Sequence, residues 1–350
     1  MIVGGGSAGA VLANRLSEEP SVKVLLLEAG PRSGGPWVRI PLGVGKILAR
    51  PELLWQVTTG PEPGLDGNRP SWVSGRLLGG SSAVNAMVFV RGEPAMYDEW
   101  ERRGCAGWGH AGVLPYFKRL EDCQFEAGPA RGRGGPIGAT FVSADPISDA
   151  FLEGCALRGY GRVRDYNEGS PDGASYLQLS TRKGLRASVA HTYLKGANGR
   201  PNLEIRTGAV AQRVLFHGAR AIGVRYRVDG VEHDALADRE VILSAGALRS
   251  PQLLELSGIG DPEVLGRFDI PVVNPLSGVG NNLQDHLMTR LTYECTAPLT
   301  VNDLVRSPWM ATRALMRYAV RRDGIFATPS LTATAFVRSD ANQAQPDLRI

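Results

Sequence analysis

An α/β fold is predicted for this chain, on three observations. A short apolar strand, Met1–Val3, runs straight into the glycine turn Gly4–Gly9. Ala8, Val11, Leu12 and Leu16 then recur at helical spacing, and Ser21 to Leu27 is an apolar run of strand length. Far along the chain, Glu240 to Ala245 reads as another strand, with a helix starting in the Gly246–Leu254 segment. At 350 residues the chain accommodates two ordinary domains or one large domain with insertions.

The first thirty residues carry the most chemistry. Gly4-Gly5-Gly6-Ser7-Ala8-Gly9 fits G-x-G-x-x-G, with a strand before it and a helix after it. The first glycine makes the tight turn, the second lets backbone approach a pyrophosphate, and the third lets helix and strand pack closely. The free N–H groups at the helix start face the phosphates. Glu28 closes the second strand, 19 residues after Gly9, where a carboxylate can accept hydrogen bonds from ribose hydroxyls. With all these parts in place, the turn is read as a dinucleotide site and not as a structural turn. It does not separate FAD from NAD.

Composition removes several other classes. The formal charge of +4 is small for this length and the arginines are spread out, so nucleic acid is not an expected partner. Cys105, Cys123, Cys155 and Cys295 lie far apart, which argues against zinc and against a disulfide framework. That spacing suits a reducing compartment, and a cytoplasmic location is expected. The five histidines form no metal pattern, and no apolar stretch reaches transmembrane length. The 44 glycines belong to no repeat or linker run, so they point to tight turns.

Gly75-Arg76-Leu77-Leu78-Gly79-Gly80-Ser81-Ser82-Ala83-Val84-Asn85 follows, leading into Ala86 to Gly92. Paired glycines and serines before an apolar stretch let backbone lie flat against a planar ligand. They equally suit a glycine-rich loop that opens a buried helix. Two more blocks are distinctive: Ser244 to Leu254 with Ser257-Gly258-Ile259-Gly260, and Gly278-Val279-Gly280-Asn281-Asn282-Leu283-Gln284-Asp285-His286. In this order the three blocks resemble the signatures of the glucose-methanol-choline (GMC) oxidoreductases, a family of FAD enzymes. Glu255 stands where an apolar residue is more usual. Trp108–Phe117, Asp165–Gly173 and Pro201–Gly208 are similar to its choline-dehydrogenase branch, so the likeness covers essentially the whole chain.

The resemblance implies an FAD layout. Gly4, Gly6, Ser7, Ala8 and Gly9 hold the pyrophosphate, and Glu28 the adenosine ribose. Leu78, Gly80, Ser81, Asn85, Ala86 and Val88 line the isoalloxazine ring, and Val210 and Ala211 meet the adenine through backbone groups. Relatives with covalent FAD carry a histidine immediately before the asparagine. Val84 occupies that place, so FAD is expected to bind non-covalently. His286 is assigned a packing or hydrogen-bonding role, and the other histidines none.

The resemblance also implies a Rossmann-like FAD domain built from discontinuous pieces, 1–140 and 198–287, with an incomplete sheet and an antiparallel meander from Leu203 to Val228. Residues 141–197 and 288–350 supply part of an α+β substrate-binding domain. The implied reaction is oxidation of an alcohol CH–OH, hydride passing to flavin N5 and electrons to oxygen or a quinone-like carrier. The histidine pair that takes the hydroxyl proton in the family has no match after His286. The chain is therefore expected to be a C-terminally truncated, inactive fragment with no catalytic residue of its own. An FAD-binding lyase of the same fold and a non-catalytic FAD-binding remnant are the alternatives. Choline-oxidising relatives carry a glutamate where this chain has Met288, so a neutral alcohol is the expected substrate.

Overall fold

The computed structural model describes residues 1–169 and 171–350; Ser170, inside the 165–173 stretch singled out above, lies outside them. The chain divides into two compact units. The first contains 1–35, 46–84 and 188–292, and the second 36–45, 85–187 and 293–350. The sequence boundaries were placed at 140, 197 and 287.

The first unit is built on a parallel sheet. Strand β1 (Ile2–Val3), helix α1 (Ser7–Leu16) and strand β2 (Val24–Glu28) follow one another directly. Strand β1 pairs in parallel with β2, Ile2 opposite Leu26 and Val3 opposite Leu27. Strands β3 (Leu54–Thr58) and β4 (Ser71–Gly75) form an antiparallel pair. Strand β5 (Leu203–Thr207) joins the free edge of β2, again parallel. Strands β6 (Val210–His217), β7 (Arg220–Val228) and β8 (Val231–Leu236) make a three-stranded antiparallel meander. Strand β9 (Ile242–Leu243) returns beside β1, giving the parallel order β5-β2-β1-β9. Helix α2 (Arg249–Glu255) follows it.

The meander thus begins at Val210 and ends at Leu236, seven residues later at its start than expected. Leu203–Thr207 has the strand character foreseen, but its backbone groups pair with β2 across the βαβ unit and not with the following strand. Parallel pairing needs a long crossover, here residues 29–202, which no local pattern displays.

One apolar cluster ties the parallel sheet of this unit to the meander. Val3 and Leu27 from the parallel sheet, Val224 and Tyr226 from β7, Ala209 and Leu253 pack against one another. Ser257 fixes the junction with α2: its hydroxyl accepts from Val214 N–H at 2.8 Å and donates to Leu253 C=O at 2.5 Å.

The second unit is α+β. Its cores are small: Met87, Val142, Leu177 and Leu179 in one, and Leu152, Ala174, Ala335 and Val337 in another. Charge is also buried there. Arg91 and Arg131 both donate to Glu121, at 2.8 and 2.7 Å, and Arg131 reaches on to Asp165 and Gln178. The Glu121 side chain is fully buried. Removing one partner of such a network leaves the others charged without water. Glu121→Gln is expected to cost about 3–5 kcal/mol of stability, read as a drop in urea midpoint with unchanged slope. A loss under about 1 kcal/mol, the range of an exposed pair, would mean that water reaches these groups.

Candidate active site: a glycine-walled cleft in the first unit

Helix α1 begins with Gly6 at its N-cap in extended conformation, with no side-chain cap and no acid in its first turn. The N–H groups that a helix start leaves over are therefore capped by no side chain of the helix's own first turn. Gly4 has φ +98°, a left-handed conformation that glycine adopts without strain. A Cβ on Gly9 would lie 1.9 Å from Gly4 O and 2.6 Å from Ser244 Oγ, so helix and strand touch there. Ser244 Oγ in turn sits 2.9 Å from Val3 O and 3.0 Å from Gly4 O, holding the end of β9 to the turn.

Gly6 differs. A Cβ there would meet nothing closer than Gly80 Cα at 3.8 Å. No protein group forbids a Cβ at Gly6; a ligand lying on the turn would. Gly80, with φ +51°, comes close from the other side, since its own Cβ would stand 2.7 Å from Gly6 Cα. The Gly75–Asn85 stretch does not open a long helix. It leaves β4, turns at Gly79–Gly80 and forms one 3-10 turn, Gly80–Ala83.

These segments wall a cleft of about 1190 Å³ that lies wholly within the first unit. Ordinary small-molecule pockets are roughly 300–1,000 Å³, so an extended ligand is accommodated. Gly4, Gly6, Ser7, Ala8, Glu28, Gly80, Ser81, Val210 and Ala211 line it, as do Leu283, Gln284 and Asp285 of the third block. Gly9 does not, because it is spent on helix–strand packing, and neither does Leu78. Asn85, Ala86 and Val88 belong to the second unit. There the Asn85 Oδ1 accepts from Met87 N–H at 3.0 Å and from Arg186 at 2.8 Å. The sequence motif is continuous, but the chain passes between units inside it.

Glu28 is only 5% exposed. Its Oε2 accepts from Gly5 N–H and its Oε1 from Gly30 N–H, both at 2.8 Å. The carboxylate also lines the cleft, where it can accept from a hydroxyl donor. Burial pushes its carboxyl above the ordinary 4.5, against the opposing pull of those N–H groups and of Arg76.

Several lining residues carried no individual assignment from sequence. Ala245 to Ser250 follow β9 along one wall; their block was recognised, but without roles for its members. Trp55 and Ser74 come from β3 and β4, and no local pattern marks them. No histidine lines the cleft among the described residues. His286 is exposed, and its backbone N–H donates to Asp285 Oδ1 at 2.9 Å.

Two outcomes follow. Gly9→Leu, which drives a side chain into Gly4 and Ser244, should lower stability and dinucleotide retention together. Gly6→Val should leave the unfolding midpoint within about 1 kcal/mol of the parent while abolishing retention. Equal retention in Gly6→Val and the parent, measured by absorbance after gel filtration, would remove the ligand from the turn. The second concerns pH. A raised carboxyl means that the folded state holds the proton more tightly than the unfolded one. Its contribution is complete below about pH 4.5 and is lost as pH rises through the raised value. Urea midpoints of the ligand-free protein should show this decline, and Glu28→Gln should flatten it. An identical slope in the variant would assign the decline to other groups.

Comparison with known proteins agrees with this geometry. Residues 1–288 match the family model described as GMC oxidoreductase. Mouse mitochondrial choline dehydrogenase is 39% identical over 357 residues, all of this chain and 60% of that protein. The oxygen-dependent choline dehydrogenase of Photobacterium profundum is also 39% identical, covering all of this chain and 62% of its own length. The chain thus spans about 60% of the length of the curated relatives it matches. Among solved structures, an FAD-dependent oxidoreductase from Chaetomium thermophilum superposes with TM-score 0.88 at 28% identity, over 96% of this chain and 61% of that one. Pyridoxine 4-oxidase from Mesorbium loti gives 0.75 at 35% identity, over 78% and 54%. No helix among the described residues is long and apolar enough to cross a membrane. On its sequence, its Rossmann-like sheet and its glycine cleft, the chain belongs to the GMC oxidoreductase family, whose cofactor is FAD.

Proposed function

We propose that this chain is the flavin-binding part of an FAD-dependent oxidoreductase acting on the CH–OH group of a small neutral alcohol. The observation that carries the reading is the cleft. Residues from all three sequence blocks, tens to hundreds of positions apart, line one cavity beside an uncapped helix start. FAD, when bound, supplies the hydride-accepting N5 atom. Gly4, Gly6, Ser7 and Ala8 would hold its diphosphate, Glu28 its ribose, and Val210 and Ala211 its adenine edge. Gly80 and Ser81 would approach the ring, with Leu78, Asn85, Ala86 and Val88 assigned there by resemblance. Gly9 supports the site from behind by letting α1 reach Gly4.

Attachment is non-covalent in this reading, since Val84 offers only an isopropyl group where covalent relatives carry a histidine. The substrate is taken as neutral because Leu287 to Leu291 brings no acid to pair with a quaternary ammonium ion. Oxygen or a quinone-like carrier would reoxidise the flavin. The dehydrogenase and oxidase relatives above favour oxidation over lyase chemistry. The scattered free cysteines suit a reducing, cytoplasmic setting.

Among the described residues the cleft has glycine turns, two carboxylates, one guanidinium and backbone donors, but no histidine to take the hydroxyl proton. General-base assistance is typically worth about 10²–10⁴-fold. The purified chain should therefore take up FAD, release it on acid denaturation, and give no turnover of neutral primary alcohols with an artificial acceptor. Flavin remaining on the denatured polypeptide would refute non-covalent attachment. Turnover above a control lacking protein, lost in Gly6→Val, would place a working base inside this chain.

A further inference from the structure

The cleft must take a diphosphate, yet its charged lining is unfavourable. Glu28 and Asp285 are acidic, and Arg249 is the single cationic side chain lining it among the described residues. Arg249 is also held in an unusual way. Its guanidinium carbon stands 4.4 Å from the ring centroid of Trp55, which itself lines the cleft. The guanidinium carbon of Arg76 stands 4.8 Å from the same indole. Two like charges thus share one ring, an arrangement that the cation–π attraction of tryptophan opposes the repulsion to maintain.

Neither arginine is consumed by a protein anion at hydrogen-bond distance. Arg249 Nη1 donates to Gln252 Oε1 at 2.7 Å, and its Nε is buried without a partner. Arg76 Nε is buried without a partner too, and its charge acts on the Glu28 carboxyl. A buried guanidinium Nε left unpaired costs stability, and with the Nε closed off the Nη groups are the donors that Arg249 has for a ligand oxygen. Trp55 faces Ser74 across the β3–β4 pair, one residue before Gly75. The backbone of Gly75 touches Gly80, which touches Gly6 of the dinucleotide turn. The brace therefore stands one strand away from the place where a diphosphate would lie.

We infer that Arg249, braced on Trp55, contacts the diphosphate of the cofactor and sets its affinity, with Trp55 and Arg76 acting as positioning residues. The inference rests on the dinucleotide reading of the cleft. It adds a cationic contact from a segment about 240 positions after the glycine turn to a cleft whose other charged side chains are acidic.

The test uses ADP and adenosine, which differ in the diphosphate alone, titrated calorimetrically into the 350-residue chain. Arg249→Ala should weaken ADP by about 10–100-fold, the usual worth of a hydrogen bond to a charged group, and leave adenosine within about twofold. Arg249→Lys keeps the charge but not the planar fork, and should fall between. Trp55→Ala should weaken ADP and spare adenosine, and Trp55→Phe, which keeps an aromatic face, should recover most of the loss. Equal losses for ADP and adenosine in Arg249→Ala would show a merely structural brace and overturn the inference. So would unchanged ADP affinity. A parent chain that binds neither ligand would overturn the dinucleotide reading itself, and Gly9→Leu marks the signal expected in that case.

Discussion

The contact between Gly9 and Gly4 governs the arrangement of the first unit. A helix and a strand cannot share backbone surface at less than a side chain's width unless one of them lacks a Cβ, and here a Cβ on Gly9 would lie only 1.9 Å from Gly4 O. That closeness sets the direction in which α1 leaves β1 and so aims the helix start across the sheet edge. Ser244 then has a defined oxygen pair to reach, and β9 is seated beside β1 by the same hydroxyl. Gly80 comes against Gly6 for a like reason, since a Cβ on Gly80 would stand 2.7 Å from Gly6 Cα. Three segments separated by tens to hundreds of residues converge on one turn, and the walls of the cleft are what they leave between them.

How much of this could be read in the sequence follows from the range of each interaction. The strand, turn and helix of residues 1–16 are dictated by neighbours within a few positions, and the expected elements are present. The meander was misplaced at its start because Leu203–Thr207 has ordinary strand character, and its partner is chosen by tertiary structure. Val24 to Glu28 offer it a free parallel edge, opposite Leu203 to Thr207 in full register. Gly6 and Gly9 look equivalent in the motif, yet one faces open space and the other faces backbone. Trp55 and Arg249 meet although 194 positions separate them, and no periodicity reports such a contact.

The acidic side of the cleft deserves the same physical reading as its basic one. Glu28 is buried, and the two N–H groups that it accepts from belong to the turn and to the chain just after β2. It therefore acts first as a tie that closes the βαβ unit, and it also lines the cleft, where hydroxyl donors are useful. A carboxylate that serves as both tie and ligand group explains a glutamate better than a serine or asparagine would, since neither of those has two oxygens to divide between the roles.

This double use links ligand binding to folding. In the free protein the buried carboxylate bears a desolvation cost, which the Gly5 and Gly30 N–H groups only partly offset. The unpaired Nε groups of Arg76 and Arg249 add a second cost of opposite sign of charge, a few residues away. The Glu28 and Arg249 charges sit on the cleft wall and not in the apolar cluster around Val3 and Tyr226. A ligand that brings hydroxyl donors to Glu28 and anionic oxygens to Arg249 would offset both at once. Binding to the folded state alone then adds stability as RT ln(1 + [L]/Kd), about 2.7 kcal/mol at a hundredfold excess over Kd. In the proposed reading the glycine turn sets where the ligand lies, and the buried carboxylate and the cleft-lining guanidinium set how strongly the fold depends on its presence.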